Sequence, residues 1–154
     1  MNRAVRAVVG AGLVAGVLDA LAAMTMFMIR GGKDPSDVWK YVASGIFGNV
    51  ALIGGWEIVV WGLTFHFFIA LSFALFFFLI YPRLHRFTNQ PVVIGLLYGL
   101  FVWIIMNRVV LPLSNVRSVP FDPVRALTGA AIIMVMVGLP ISLIINRYYG
   151  RIGR

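Results

Sequence analysis

Four long runs of apolar residues, separated by short polar segments, dominate the pattern along this chain. They cover about residues 4–29, 56–81, 91–113 and 123–146. Apolar residues fill consecutive positions within each run, and each run has the roughly 20 residues that an α-helix needs to cross a hydrocarbon core of about 30 Å. The pattern therefore predicts four transmembrane helices.

Prolines stand near the ends of three of these runs. Pro91 and Pro123 suit the first turn of a helix, where a backbone N–H is not needed, and Asp122 is placed to cap the fourth helix. Pro82 and the polar segment "RLHR" after it are expected to end the second helix, and Pro140 to cause a tolerable kink near the end of the fourth.

A fifth, less hydrophobic segment lies between the first two runs, at about residues 35–50. Asp34 followed by Pro35 has the form of a helix N-terminus. Apolar residues then recur at helical spacing on one face, at Val38, Tyr41, Val42, Gly45 and Ile46. The segment is too short to span, so we expect an interfacial or re-entrant helix with Trp39 and Tyr41 at headgroup level. A structured loop outside the membrane is the alternative.

The composition supports membrane insertion. Of the 154 residues, 61% are hydrophobic and only 12% are charged, and a soluble domain of this length could not hide so much apolar surface from water. The first run is too long for the apolar region of a signal peptide. With no internal repeat and no low-complexity linker evident, we predict one domain over residues 1–154: an all-α bundle of four transmembrane helices with one interfacial or re-entrant helix.

The charges and the missing cysteines narrow the function. The net charge of +8 comes from cations scattered singly at helix ends, which favours lipid headgroups over nucleic acid. The absence of cysteine excludes disulfides, iron–sulfur clusters and thiolate zinc sites. With four spans, seven cations share a side with the termini and six lie on the other side. The positive-inside rule then gives only a small preference for cytoplasmic termini.

Three polar residues within the predicted helices form the candidate site. Asp19 and His66 each lie ten residues from a helix end on the same side, which predicts a depth of about 15 Å, near the middle of the membrane. Asn107 is expected at about 8 Å from that side. Each residue continues a stripe of small residues spaced by four, so all three are predicted to face the bundle centre.

Two interpretations of this polar cluster remain open. The three residues hydrogen-bond one another and fix the helix register, at about 0.6 kcal/mol per bond. Alternatively they handle protons or cations, because histidine titrates near neutrality and a buried carboxyl readily changes its protonation. A closed zinc site would need more ligands, and no serine–histidine–aspartate arrangement is visible, so we predict no metal, no cofactor and no enzymatic activity. Pairing of two His66 residues around haem in a homodimer is a remote further possibility.

Other residues are candidates for contacts outside the bundle. Arg108 lies about 100° around its helix from Asn107, on an outer stripe. Arg117 lies in the loop "PLSNVRSVPFDP", which is expected to cover the polar stripe or to contact a partner. Together with Trp39, these residues are our candidates for lipid or partner contact.

Several segments resemble a family of short, uncharacterised four-span bacterial inner-membrane proteins. The resemblance covers about residues 38–150 and includes "VASGIFGNVALIGG", "LTFHFFIALSFALFFFLIYPRL" and "VGLPISLIINRYYG". Its most specific motif is Met-Asn-x-Val-Val-x-Pro-Leu-Ser at residues 106–114. The resemblance implies a place in the inner membrane, no assigned enzymatic activity, and signature positions at Gly54, Gly55, His66, Asn107, Pro112 and Ser114. Ile133 stands where that family often has a histidine.

These observations predict a non-enzymatic membrane protein that acts as a small accessory or interaction subunit of a larger assembly. Its partners would be membrane lipids and either other membrane subunits or further copies of itself. The alternative is a small oligomeric transporter or proton-linked channel that uses Asp19, His66 and Asn107.

Overall fold

The computed structural model describes residues 2–86, 88–116 and 122–152. This part of the chain is helical and contains no strand, which confirms the all-α prediction. The helices are α1 (Arg3–Ile29), α2 (Asp37–Phe47), a 3₁₀ segment (Gly48–Ile53), α3 (Trp56–Leu84), α4 (Pro91–Leu113) and α5, which runs from Pro123–Ile133 through a turn at Met134–Gly138 to Leu139–Ile152. Within the described residues, α1, α3, α4 and α5 are long and apolar enough to cross a membrane.

Short polar side chains begin α1 and α5. The Asn2 side chain accepts a hydrogen bond from the Ala4 N–H. The Asp122 carboxylate accepts from the N–H groups of Val124 and Arg125 at 2.9 and 3.2 Å, with Pro123 in the first turn, so the predicted cap is confirmed. These bonds satisfy N–H groups that have no partner inside a helix.

The helix α3 passes through Pro82 and ends at Leu84, within the segment "RLHR" that was expected, together with Pro82, to end it. A proline cannot donate to the carbonyl four residues before it, which here belongs to Phe78. The Tyr149 hydroxyl of α5 donates to that carbonyl instead, at 3.1 Å. A side chain from a neighbouring helix thus satisfies the acceptor that Pro82 leaves free, and the helix continues.

Wide π-helical turns precede the internal prolines of α4 and α5. They lie at Met106–Val110 and Met134–Gly138, and each ends two residues before a proline, at Pro112 or Pro140. A wider turn moves the backbone away from the proline ring. Residues 106–114 and 134–142 share Met, Val, Leu, Pro and Ser at equivalent positions. The same short motif therefore surrounds both widened turns.

Glycines bring the long helices together in two close pairs. A Cβ atom at Gly12 of α1 would lie 3.0 Å from the Leu71 Cα of α3, and one at Gly138 of α5 would lie 2.8 Å from the Gly99 Cα of α4. Contacts of α1 with α5 join the two pairs into a four-helix bundle. The centre contains fully buried apolar side chains, among them Ala15, Ala74, Phe77, Ile141 and Ile145. Small residues permit such approach between membrane helices.

The short helix α2 crosses α3 instead of running alongside it. Trp39 at the start of α2 packs on His66, and Phe47 at its end packs on Trp61 and Phe65. Both ends of α2 therefore contact the same level of α3. The Asn115 N–H donates to the Gly45 carbonyl at 2.9 Å, which ties the end of α4 to this level as well.

The apolar residues that recur along α2 lie largely on its outer face. Trp39, Ala43 and Ser44 are buried, whereas Tyr41 and Ile46 of the predicted apolar face are exposed. The helix also begins at Asp37 rather than next to Asp34, whose carboxylate instead accepts from the Ser36 N–H in the preceding turn. Apolarity identifies the buried face only where the surroundings are water.

Candidate functional site

His66 lies where α1, α2 and α3 meet. Its Nε2 atom is 2.9 Å from the Gly16 carbonyl oxygen of α1. A carbonyl only accepts, so Nε2 is the donor, and in the neutral ring Nδ1 is then an acceptor. The imidazole also packs edge-to-face on Trp39 and Phe67, with ring centroids 5.3 Å apart in each case. The ring is thereby held on three sides and is half-buried.

Two glycines make this position possible. A Cβ atom at Gly16 would lie 2.8 Å from the Phe67 ring, so the missing side chain lets α3 approach α1. A Cβ atom at Gly62 would collide with the backbone of Trp39, including its Cα at 2.9 Å, so the missing side chain lets α2 lie on α3. Each glycine leaves room for one of the elements that contact His66.

Asp19 lies on α1 three residues, or about one helical turn, after Gly16, the residue whose carbonyl contacts His66. The side chain is half-buried, and none of the described residues donates a hydrogen bond to it. The structure thus brings together two of the three residues predicted to form the cluster. An imidazole beside a carboxyl can hold and exchange a proton.

Asn107 does not join them, so this part of the predicted cluster is wrong. Its side chain is exposed on α4 and donates to the Trp103 carbonyl of its own helix at 2.9 Å. Positions four residues apart differ by about 40° around an α-helix, so three such steps from Gly95 turn Asn107 by roughly 120°. The stripe that begins at Gly95 and Gly99 faces α5, and Asn107 has turned away from it.

The other candidate residues lie in different surroundings. Trp39 was predicted to contact lipid or a partner, but it is only 5% exposed because Gly62 accommodates its backbone. Arg108 is exposed. Arg117 lies outside the described residues. Within the described ranges, no group of three or more His, Asp or Glu residues is arranged to hold a metal ion.

A second polar arrangement, missed in the sequence analysis, lies at the opposite end of the bundle. The Tyr81 hydroxyl donates to the Asn146 Oδ1 at 2.5 Å, between α3 and α5. The Tyr81 ring stacks on His85 on one side and on Tyr149 on the other, with centroids 5.6 and 5.1 Å apart. The signal was the pair of segments "YPRLH" and "NRYYG", which end two helices on the same side.

Four apolar helices of spanning length in one bundle define, as a class, a multi-pass membrane protein. Comparisons with protein-family models, curated proteins and solved structures find no match to this chain.

Proposed function

We propose that this chain is a non-enzymatic protein of a bacterial inner membrane, with cytoplasmic termini, and that it acts as a small accessory or interaction subunit of a larger membrane assembly. The observation that carries the proposal is the packed apolar centre. Phe77, Ile141 and Ile145 are fully buried there. The polar groups buried among the described residues are paired: Ser44, Ser142 and the Tyr98 hydroxyl donate to backbone carbonyls, and the Tyr81 hydroxyl donates to Asn146. Such a centre suits a scaffold better than a conduction path.

The crossing of α2 supports an interfacial position for this helix. Gly62, against which α2 lies, is 22 residues before Leu84, or about 33 Å along α3. That length matches a hydrocarbon core of about 30 Å. With α2 at the boundary, its exposed Tyr41 and Ile46 face the lipid interface. His66 is then about 6 Å below the boundary along the helix, rather than the 15 Å expected from its place in the sequence.

The outer surface of α1 supports contact with another membrane helix. A shallow apolar surface groove lies there between neighbouring side chains of α1 alone, formed by Leu13, Val14, Val17 and Leu18. These residues share one face of α1. Association of helices in lipid depends on close van der Waals packing, for which a groove provides the shape.

Purification from the native membrane in a mild detergent, followed by mass spectrometry, tests the proposal. We expect another membrane protein in a stoichiometric amount. A Val17→Trp substitution fills the groove and should release that partner. A Leu97→Trp substitution on the exposed surface of α4 is the matched control and should retain it. Recovery of the wild-type chain only as a homo-oligomer would contradict the accessory-subunit proposal.

The closeness of Asp19 and His66 favours a second candidate function, a small oligomeric transporter or proton-linked channel. Asn107 no longer belongs to this hypothesis. Proton flux into vesicles containing the purified protein tests it: Asp19→Asn and His66→Phe should each abolish the flux. Thr64→Ala, which removes a hydroxyl bonded only to its own helix at Val60, should leave it unchanged. Equal flux in vesicles with and without protein would exclude this function.

A further inference from the structure

The pocket beside Tyr81 lies between the ends of α3 and α5, far from His66. It has a volume of about 430 Å³ and is lined by Tyr81, Pro82, His85, Asn146, Tyr149 and Gly150. Gly16 of α1 lies beside Phe67 of α3 and Gly12 beside Leu71, so the two helices are antiparallel and the N-terminus of α1 is on the same side of the bundle as the pocket.

The pocket combines a rigid aromatic wall with free polar groups. Tyr81 is 1% exposed and is fixed between two stacked rings. Because Asn146 accepts the Tyr81 hydroxyl through Oδ1, its NH₂ group remains available as a donor. The exposed His85 adds imidazole nitrogens at the rim. The aromatic rings therefore form an apolar wall, and the Asn146 NH₂ group offers a ligand a hydrogen-bond donor.

The charge around the pocket is of one sign. Arg83 and Arg86 flank Pro82 and His85 on α3, and Arg147 directly follows Asn146 on α5. All three arginines are exposed. The five carboxylates of the chain all lie toward the opposite end of the bundle, at Asp19, Asp34, Asp37, Glu57 and Asp122. The arginines stand next to the lining residues in the chain rather than in the pocket wall, so the positive charge lies around the pocket, with no acidic side chain at this end to balance it.

The geometry points to a binding site for the phosphate headgroup of an anionic membrane lipid. Arginine forms bidentate hydrogen bonds with phosphate, and basic pockets between transmembrane helices bind anionic headgroups. Tyrosines at the end of a spanning helix lie at headgroup level. The acyl chains would follow the apolar outer surfaces of α3 and α5. In the orientation proposed above, this end faces the cytoplasmic leaflet, where anionic lipids are concentrated.

Lipid titrations of the purified full chain in a neutral detergent, read by native mass spectrometry, test this site. We expect phosphatidylglycerol to bind and phosphatidylcholine not to. Each arginine near a membrane surface contributes about 1 kcal/mol, so the triple variant Arg83→Gln, Arg86→Gln, Arg147→Gln should bind phosphatidylglycerol roughly 100-fold more weakly. The triple variant Arg30→Gln, Lys33→Gln, Arg108→Gln removes the same charge from the opposite end and should bind like the wild type.

The remaining comparisons separate this site from general charge attraction. Asn146→Leu keeps every charge and should weaken binding about tenfold, because it removes a donor to phosphate. Equal losses in the two triple variants, or equal binding of phosphatidylcholine, would overturn the proposal. Competition by inorganic phosphate at the same concentration as the lipid would show that the pocket binds the free anion, and would overturn the assignment to a lipid.

Discussion

A Gly62→Ala substitution tests the contact that fixes α2 over His66. The new Cβ atom would lie 2.6 Å from the carbonyl carbon of Trp39 and 2.9 Å from its Cα. Ordinary contact begins at 3.4 Å, and the Trp39 carbonyl oxygen lies closer to the new Cβ atom than the carbonyl carbon does, so the backbone of α2 must retreat by more than about 0.8 Å. The neighbouring atoms are backbone, which cannot change rotamer to relieve the collision.

The expected cost is that of overpacking, about 1–3 kcal/mol. Alanine is a better helix former than glycine by about 1 kcal/mol in a helix interior. Any loss of stability in the Gly62→Ala variant must therefore come from the collision. A free-energy cost of about 1.4 kcal/mol corresponds to a tenfold change in an equilibrium constant. The population in which α2 has left α3 should therefore rise roughly 5- to 140-fold.

The absence of cysteine makes this population measurable. Ala43 is a fully buried residue of α2 itself. A thiol introduced by Ala43→Cys should therefore react with N-ethylmaleimide only after α2 has moved. We expect faster labelling in the Gly62→Ala background. Gly10→Ala is the matched control, because nothing lies within 4 Å of its Cβ position. Equal labelling rates in the two backgrounds would refute the proposed role of Gly62.

Three further predictions concern other contacts. Gly138→Ala places a Cβ atom 2.8 Å from a backbone Cα of α4 and should lower the free energy of unfolding in SDS titrations by about 1–3 kcal/mol; an unchanged midpoint would contradict this. Tyr98→Phe removes a 2.7 Å hydrogen bond to the Phe73 carbonyl and should cost about 0.6 kcal/mol in the same assay, and a gain in stability would contradict it. The Ser36 backbone N–H holds the pKa of Asp34 below its usual 3.8, so the stabilisation is present above that pH and is lost as the pH falls. An NMR titration midpoint at or above 3.8 would contradict this.

The number and approximate extent of the long helices were predictable, because spanning length is a property of composition along the chain. The contacts between helices were less so. The hydrogen-bond partner of His66 is the backbone carbonyl of Gly16, and a backbone carbonyl has no side-chain signature. The burial of Trp39 depends on a glycine 23 positions away, whose role appears only once the two helices cross.

The surroundings explain the outward apolar face of α2, and helix geometry explains the error on Asn107. In water, the apolar face of a helix is the buried one, but lipid lets Tyr41 and Ile46 face outward at little cost. A stripe spaced by four residues was extended to Asn107 although its direction drifts at every step. The relation between Pro112 and Pro140 was missed, although the matching residues around the two prolines adopt the same widened turn.

The energetic cost of Asp19 bears on which proposed function ranks first. A carboxylate at the centre of a membrane helix costs about 2.5–3.5 kcal/mol, far more than the roughly 0.6 kcal/mol that one hydrogen bond returns, so a central Asp19 would need a function to explain it. With α2 at the boundary, His66 and the Gly16 carbonyl that it contacts are about 6 Å deep, so Asp19, three residues further along α1, lies within about one helical turn of the interface. The penalty is smaller near the interface. Asp19 is therefore tolerable without a function, and the packed centre remains the stronger observation, favouring the accessory subunit over proton transfer.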